Sequence, residues 1–160
     1  MAINGTASYL FRSTKGVKQG DHMSLFLFIL VVEVLSLMIK RVASMNLLAG
    51  FKPSSEAFEI NHLQFADDLI MFLDDDCEQV HNLKNVLLGL ELVSGLKFNF
   101  QKSALVPVGE AVNAVDGATI FGCPITSFPM KYLGIPLGSK SKAVGVWDVI
   151  LQNFEKKLSM

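Results

Sequence analysis

Residues 24 to 41 read SLFLFILVVEVLSLMIKR, and every position from Leu25 to Val32 is apolar. A run of this kind has to be taken out of water, because each large aliphatic or aromatic side chain buried contributes about 1.5–3 kcal/mol. We read it as a core helix, apolar on most sides, from about Met23 to Ser44. An interfacial or membrane helix is the rival reading. Glu33 and Ser36 interrupt the run before it reaches the 18 or so clean apolar residues of a bilayer crossing, so it is taken as too short and too polar to span.

The rest of the composition agrees with a globular chain. Of 160 residues, 51% are hydrophobic and 18% charged, with a mean hydropathy of +0.41; the charged share is below the usual figure of about 25%. That length suits one domain with its own core. So much apolar surface also fits a segment whose faces sit against further protein. Fourteen Lys and Arg balance fifteen Asp and Glu, which excludes a chain that holds nucleic acid by its overall field. Cys77 and Cys123 are not in C-x-x-C spacing, and we expect reduced thiols and no disulfide. His22, His62 and His81 lack zinc-ligand spacing. Without the basic and apolar regions of a signal peptide at its start, the chain is expected to be intracellular, nuclear or cytoplasmic, and not secreted.

No repeat, Pro-rich linker or low-complexity tract marks a boundary, so one compact unit is expected. Ile3 to Arg12 alternates loosely and predicts a strand entered through Asn4-Gly5. Ser13 to Asp21 is a loop holding Lys15, Gly16, Lys18 and Gly20. After the long helix and a loop through Gly50, Pro53 and Ser54-Ser55, Phe58 to Leu73 predicts a hairpin bent at Ala66-Asp67-Asp68. Aspartate tolerates turn angles well, so the doublet is placed at the exposed tip. Asp76 with Gln79 predicts a helix start, followed by apolar Val80, Leu83, Val86, Leu87, Leu90 and Val93 as far as Gly95. Lys97 to Phe100 and Ala104 to Val108 are short strand candidates. Val112 to Phe121 is a helix, Met130 to Leu137 a hairpin or strand pair, and Val144 to Leu158 a last helix. This order predicts α+β, an antiparallel sheet backed by helices.

The Asp67-Asp68 doublet carries the chemistry. Nucleotidyl transfer uses two divalent cations roughly 4 Å apart, bridged by carboxylates, and Mg²⁺ prefers hard oxygen ligands. Alone, Asp-Asp is a weak signal, better read as two solvated turn residues. The surrounding segments add specificity. Lys18-Gln19-Gly20-Asp21-His22-Met23-Ser24 with Leu27-Phe28, Phe65-Ala66-Asp67-Asp68, Gly95-Leu96-Lys97-Phe98-Asn99 with Lys102-Ser103, and Tyr132-Leu133-Gly134-Ile135-Pro136-Leu137-Gly138 follow one another. In order and spacing the series resembles the reverse transcriptase domain of LINE-type, non-LTR retroelements, especially those of plant genomes.

The resemblance implies a partial polymerase palm over residues 1–138, carrying motifs B to E, with 139–160 a helix leading toward the thumb. It implies that Asp67 and Asp68 are the catalytic metal ligands for two Mg²⁺ ions. Gln19 and Gly20 would lie by the nascent base pair. Lys102, with Lys97 as the second candidate, would place positive charge at the leaving pyrophosphate. Tyr132 and Gly134 would lie on the primer side, and an RNA template and DNA primer would be the partners. Ordinary readings stand beside these: a solvated strand edge for the lysines, hairpin packing for Tyr132 and Gly134, and helix capping or solvation for Asp74, Asp75 and Asp76. Glu33 reads as a buried or groove-facing helix residue.

Two departures bear on activity. The family also uses an aspartate from motif A, upstream of motif B, yet the first acidic residue here is Asp21; the fingers, which precede motif A, have no counterpart either. One carboxylate cluster gives a Mg²⁺ pair too few ligands, so the isolated chain is expected to be inactive. Where the family commonly has Pro-Leu-Ser-Pro after Q-G-D, this chain has His22-Met23-Ser24-Leu25, and a shifted helix start is expected. A non-catalytic nucleic-acid or protein interaction module is the alternative function.

Overall fold

The apolar run folds as α1, His22–Ser44. The side chain of Asp21 accepts the backbone N–H of Met23 at 2.9 Å, so the aspartate of Q-G-D caps the helix and sets its start without the usual proline. At the other end Asn46 takes φ 58. Asn46 N–H then donates to the Ala43 carbonyl and Leu47 N–H to that of Val42, a left-handed stop that asparagine tolerates. The structure, a computed structural model, describes residues 2–3, 6–7, 20–54, 57–138, 154–155 and 158.

The helix departs from expectation in its surroundings. Only Leu35 and Ile39 of α1 are buried, while Phe26, Leu30, Val34 and Leu37 are exposed. By length and composition α1 is also apolar enough to cross a membrane, so the argument that it is too short and too polar does not hold. Its place is set by a seam: Ser36 Oγ lies 3.1 Å from His62 Nε2, and a Cβ added at Gly89 would rest 3.6 Å from Met38.

Contacts divide the chain into two units where one was expected: Met1–Asp74 with Asn82–Phe98, and Asp75–His81 with Asn99–Met160. The first holds β1 (Ala2–Ile3) and β2 (Thr6–Ala7), paired antiparallel; the remainder of the strand predicted to Arg12 and the 13–19 loop lie outside the described residues. It also holds β3 (His62–Phe65) and β4 (Asp68–Met71), joined by the two-residue turn Ala66-Asp67 in the register Phe65↔Asp68 to His62↔Met71. An isolated bridge pairs Phe51 with Ile60, and Phe72 N–H bonds to the Asn61 carbonyl. Glu59 secures the corner behind them, accepting Gly50 N–H at 2.6 Å and Asn61 Nδ2 at 2.9 Å. The Gly50 amide, followed by Asn61, holds its carboxyl below the usual carboxylate range. Leu35, Ile39, Leu48, Leu83, Val86, Leu87 and Leu90 form this unit's buried core.

Helix α2, Cys77–Ser94, follows the predicted span, and Asp76 Oδ1 accepts Glu78 N–H at its start. Val80, Leu83, Val86, Leu87 and Leu90 are buried as predicted. Val93 is not, at 78% exposed; the buried stripe passes from Leu87 to Glu91 one turn on. The expected strand at Lys97 to Phe100 does not form. The Phe98 N–H is taken by the Glu91 carboxylate, and Asn99 opens a turn whose carbonyl accepts Lys102 N–H and Ser103 N–H.

In the second unit Asp75 accepts Val112 N–H at 2.7 Å and Asn113 N–H at 3.1 Å, which positions the start of α3, Ala114–Phe121. Phe100 packs edge-on against Phe121, centroids 5.2 Å apart. The strand expected over Ala104 to Val108 shrinks to one parallel bridge, Leu105↔Ile125. Cys77 and Cys123 are free, and burial pushes both thiols above their ordinary range. Strands β5 (Met130–Tyr132) and β6 (Ile135–Leu137) form the predicted hairpin. The last helix lies largely outside the described residues, although Phe154, Glu155 and Leu158 are helical. Among the described residues the strands form three separate antiparallel pairs, an α+β composition without a shared sheet.

The β5–β6 turn leads to a prediction. Leu133 and Gly134 both have positive φ, 50 and 83, the backbone of a tight hairpin turn that favours Asn-Gly. Leucine is strained there and is 46% exposed. Leu133→Asn should therefore stabilise the chain by about 0.5–1 kcal/mol, raising the urea midpoint with no change of slope.

Candidate functional site

The β3–β4 hairpin presents its two aspartates differently. Ala66 carries the turn's positive φ, 51, so the alanine, not an aspartate, takes the left-handed residue. Asp67 is the second turn residue. Asp68 is not at the tip: it opens β4 opposite Phe65. Residues directly opposite share a face, so Phe65 and Asp68 lie on one side while the next pair, Gln64 and Leu69, lies on the other. Gln64, Asp67 and Leu69 line a groove of about 190 Å³. Its remaining walls are Phe28, Val31, Val32 and Leu35 from α1, Leu90 from α2, and the segment Leu96-Lys97-Phe98. Asp67 and Asp68 are both exposed.

Polar groups in the groove are few. Gln64 Nε2 donates to the Ala66 carbonyl at 3.2 Å, whereas its buried Oε1 finds no donor among the described residues. Lys97 Nζ donates to Glu91 Oε2 at 3.2 Å and Phe98 N–H to Glu91 Oε1 at 2.6 Å. Those bonds, with the Phe98 amide foremost, hold the Glu91 carboxyl below the ordinary carboxylate range.

A magnesium pair needs several oxygen ligands on each ion. The groove offers the single carboxylate of Asp67, and among the described residues no group of three or more His, Cys, Asp or Glu side chains could hold a metal. The described residues do not by themselves fit two ions.

Behind the hairpin, His62 joins β3 to α1 through Ser36. Burial, with Lys40 adding to it, keeps its imidazole below the usual histidine value. The folded state then binds fewer protons than the unfolded one below about pH 6.5, so stability is full above that pH and declines as pH falls toward the folded-state value. Urea midpoints at pH 7.5 and 5.5 should show this loss in the wild type and a smaller one in His62→Gln.

Residues 1–137 match the family model for reverse transcriptase (RNA-dependent DNA polymerase). The chain belongs to the reverse transcriptase family. Over 66 residues it is 44% identical to an uncharacterized mitochondrial protein of Arabidopsis thaliana, a stretch covering 41% of this chain and 54% of that protein. The chain thus spans about half the length of that relative. No solved structure matches.

Of the positions implied by the family's motifs, Gln19 lies outside the described residues. Gly20 is an exposed turn residue with φ 79, next to the cap Asp21. Gly20, Asp67 and Asp68 belong to the first unit and Lys102, Tyr132 and Gly134 to the second. Lys102 is exposed, on the turn whose Asn99 Oδ1 accepts its N–H at 3.1 Å. Tyr132 is half-buried at the end of β5, and Gly134 is the second residue of the turn after it. Sequence reasoning missed Glu91 and Gln64. For Glu91 a signal existed: it sits four residues after Leu87, on the stripe α2 buries.

Proposed function

We propose that this reverse transcriptase segment comes from a LINE-type retroelement polymerase. Residues 1–138 are the palm portion with motifs B to E, and residues 139–160 lead toward the thumb. The observation that carries the reading is the hairpin that sets Asp67 into a groove against α1, inside a chain of this family. On this reading Asp67 is the metal ligand the segment contributes, with Asp68 beside it. Gln19 and Gly20 face the template and nascent pair. Lys102 serves the nucleotide's phosphates, since the ammonium of Lys97 already has Glu91. Tyr132 and Gly134 lie toward the primer. Mg²⁺ would supply charge stabilisation at the phosphoryl group when held between this segment and further carboxylates. The unmet acceptor on Gln64 supports a groove completed by other groups.

The isolated chain should show no primer extension with RNA template, DNA primer, Mg²⁺ and nucleotides; clear extension lost in Asp67→Asn would overturn the incompleteness. Joined behind a related polymerase's fingers and motif A, the chain should extend primers. Asp67→Asn should then reduce extension by more than about 100-fold, because several kcal/mol of charge stabilisation go with the ligand. Extension by that fusion undiminished in Asp67→Asn would sink the reading.

A further inference from the structure

Two groove residues carry opposite charge, Asp67 on the hairpin turn and Lys97 on the facing segment. Left to themselves they would attract one another, since Lys97 ends in a mobile ammonium on a long stem and its side chain is 79% exposed. Glu91 stands in the way. Only 9% exposed, it is a carboxylate that has to be compensated to stay buried, and each of its oxygens is engaged: Oε1 by Phe98 N–H and Oε2 by Lys97. The Gly95 N–H bonds to its backbone carbonyl, and Leu96 N–H bonds to Ser94 Oγ. The segment that walls the groove is therefore hung from the last turns of α2.

We infer that Glu91 is a positioning residue: it clasps Lys97 and the Phe98 amide, holding the 96–98 wall in place and keeping the lysine off Asp67, so that the Asp67 carboxylate stays available to a cation. The inference rests on the proposed role of Asp67. The same clasp is why Lys97 is a poor candidate for holding phosphate, its charge being offset before any ligand arrives. The amide bond is the sheltered part of the arrangement and the ion pair the solvent-screened part, so the effect on Lys97 is a shift of partner rather than a collapse of the fold.

A zero-length carbodiimide, which joins a carboxylate directly to a contacting amine, reads the lysine's partner. With the purified chain and peptide mass spectrometry, the wild type should give mainly a Lys97–Glu91 link. Glu91→Gln keeps the side chain's size and an acceptor for Phe98 N–H, and in it a Lys97–Asp67 link should rise about threefold, the scale of an exposed pair. No rise in a folded Glu91→Gln protein, folding being verified by slow amide exchange at Leu83 and Leu87, would overturn the inference. Should that variant not fold, the wild type alone decides: a predominant Lys97–Asp67 link would also overturn it. No metal or nucleic acid enters the measurement, so its failure removes Glu91's role and leaves the polymerase reading to the primer-extension experiment.

Discussion

Leu90→Ala should destabilise the chain by about 3 kcal/mol, within the range for emptying a buried leucine site. Leu90 is 2% exposed, among the largest fully buried side chains, and it also lines the Asp67 groove. Truncation removes its apolar area and leaves a void that the surrounding core can fill only partly, since packed cores relax incompletely. Urea unfolding followed by circular dichroism would measure the loss. A change below about 1 kcal/mol would mean that the site collapses without penalty. By contrast Leu92→Ala, two residues on and on the opposite side of α2, where the side chain is 87% exposed, should stay within about 0.5 kcal/mol of wild type.

Gly50→Ala should cost about 2–3 kcal/mol although it adds only one methyl group. A Cβ there would stand 2.6 Å from the Ile60 carbonyl oxygen and 2.8 Å from its carbon. Both are backbone, so relief means moving the chain and not swinging a side chain. The Phe51–Ile60 bridge and the Gly50–Glu59 hydrogen bond depend on the present approach. Gly89→Ala is the control. Its added Cβ meets only the end of Met38, at 3.6 Å, and the better helix propensity of alanine should leave stability unchanged or raised by up to about 1 kcal/mol. Equal urea midpoints for the two variants would refute the backbone-clash argument.

Much of the local structure was legible because it is local. The hairpins within 58–73 and 130–137, the apolar stripe from Val80 to Leu90 and the acidic cap before α2 each depend on residues within a few positions of one another. Errors fell where a distant or differently placed group took over. The strand read at Lys97 to Phe100 fails because Glu91 claims the Phe98 amide. The doublet splits because the pairing register sets Asp68 opposite Phe65 and leaves Asp67 in the turn. Asp75 serves residues 37 and 38 positions away, which no reading of its neighbours could tell.

What the sequence by itself determined is the inventory: one long apolar helix, an Asp-Asp hairpin and a second helix with its cap. These follow from periodicity and turn preference, properties carried by adjacent residues. Only tertiary structure decided which face each residue takes: that α1 buries just Leu35 and Ile39, that Asp67 and not Asp68 lines the groove, and that a glutamate occupies an apolar stripe. Burial and charge pairing are settled by what lies across the space from a side chain, and sequence adjacency does not encode it.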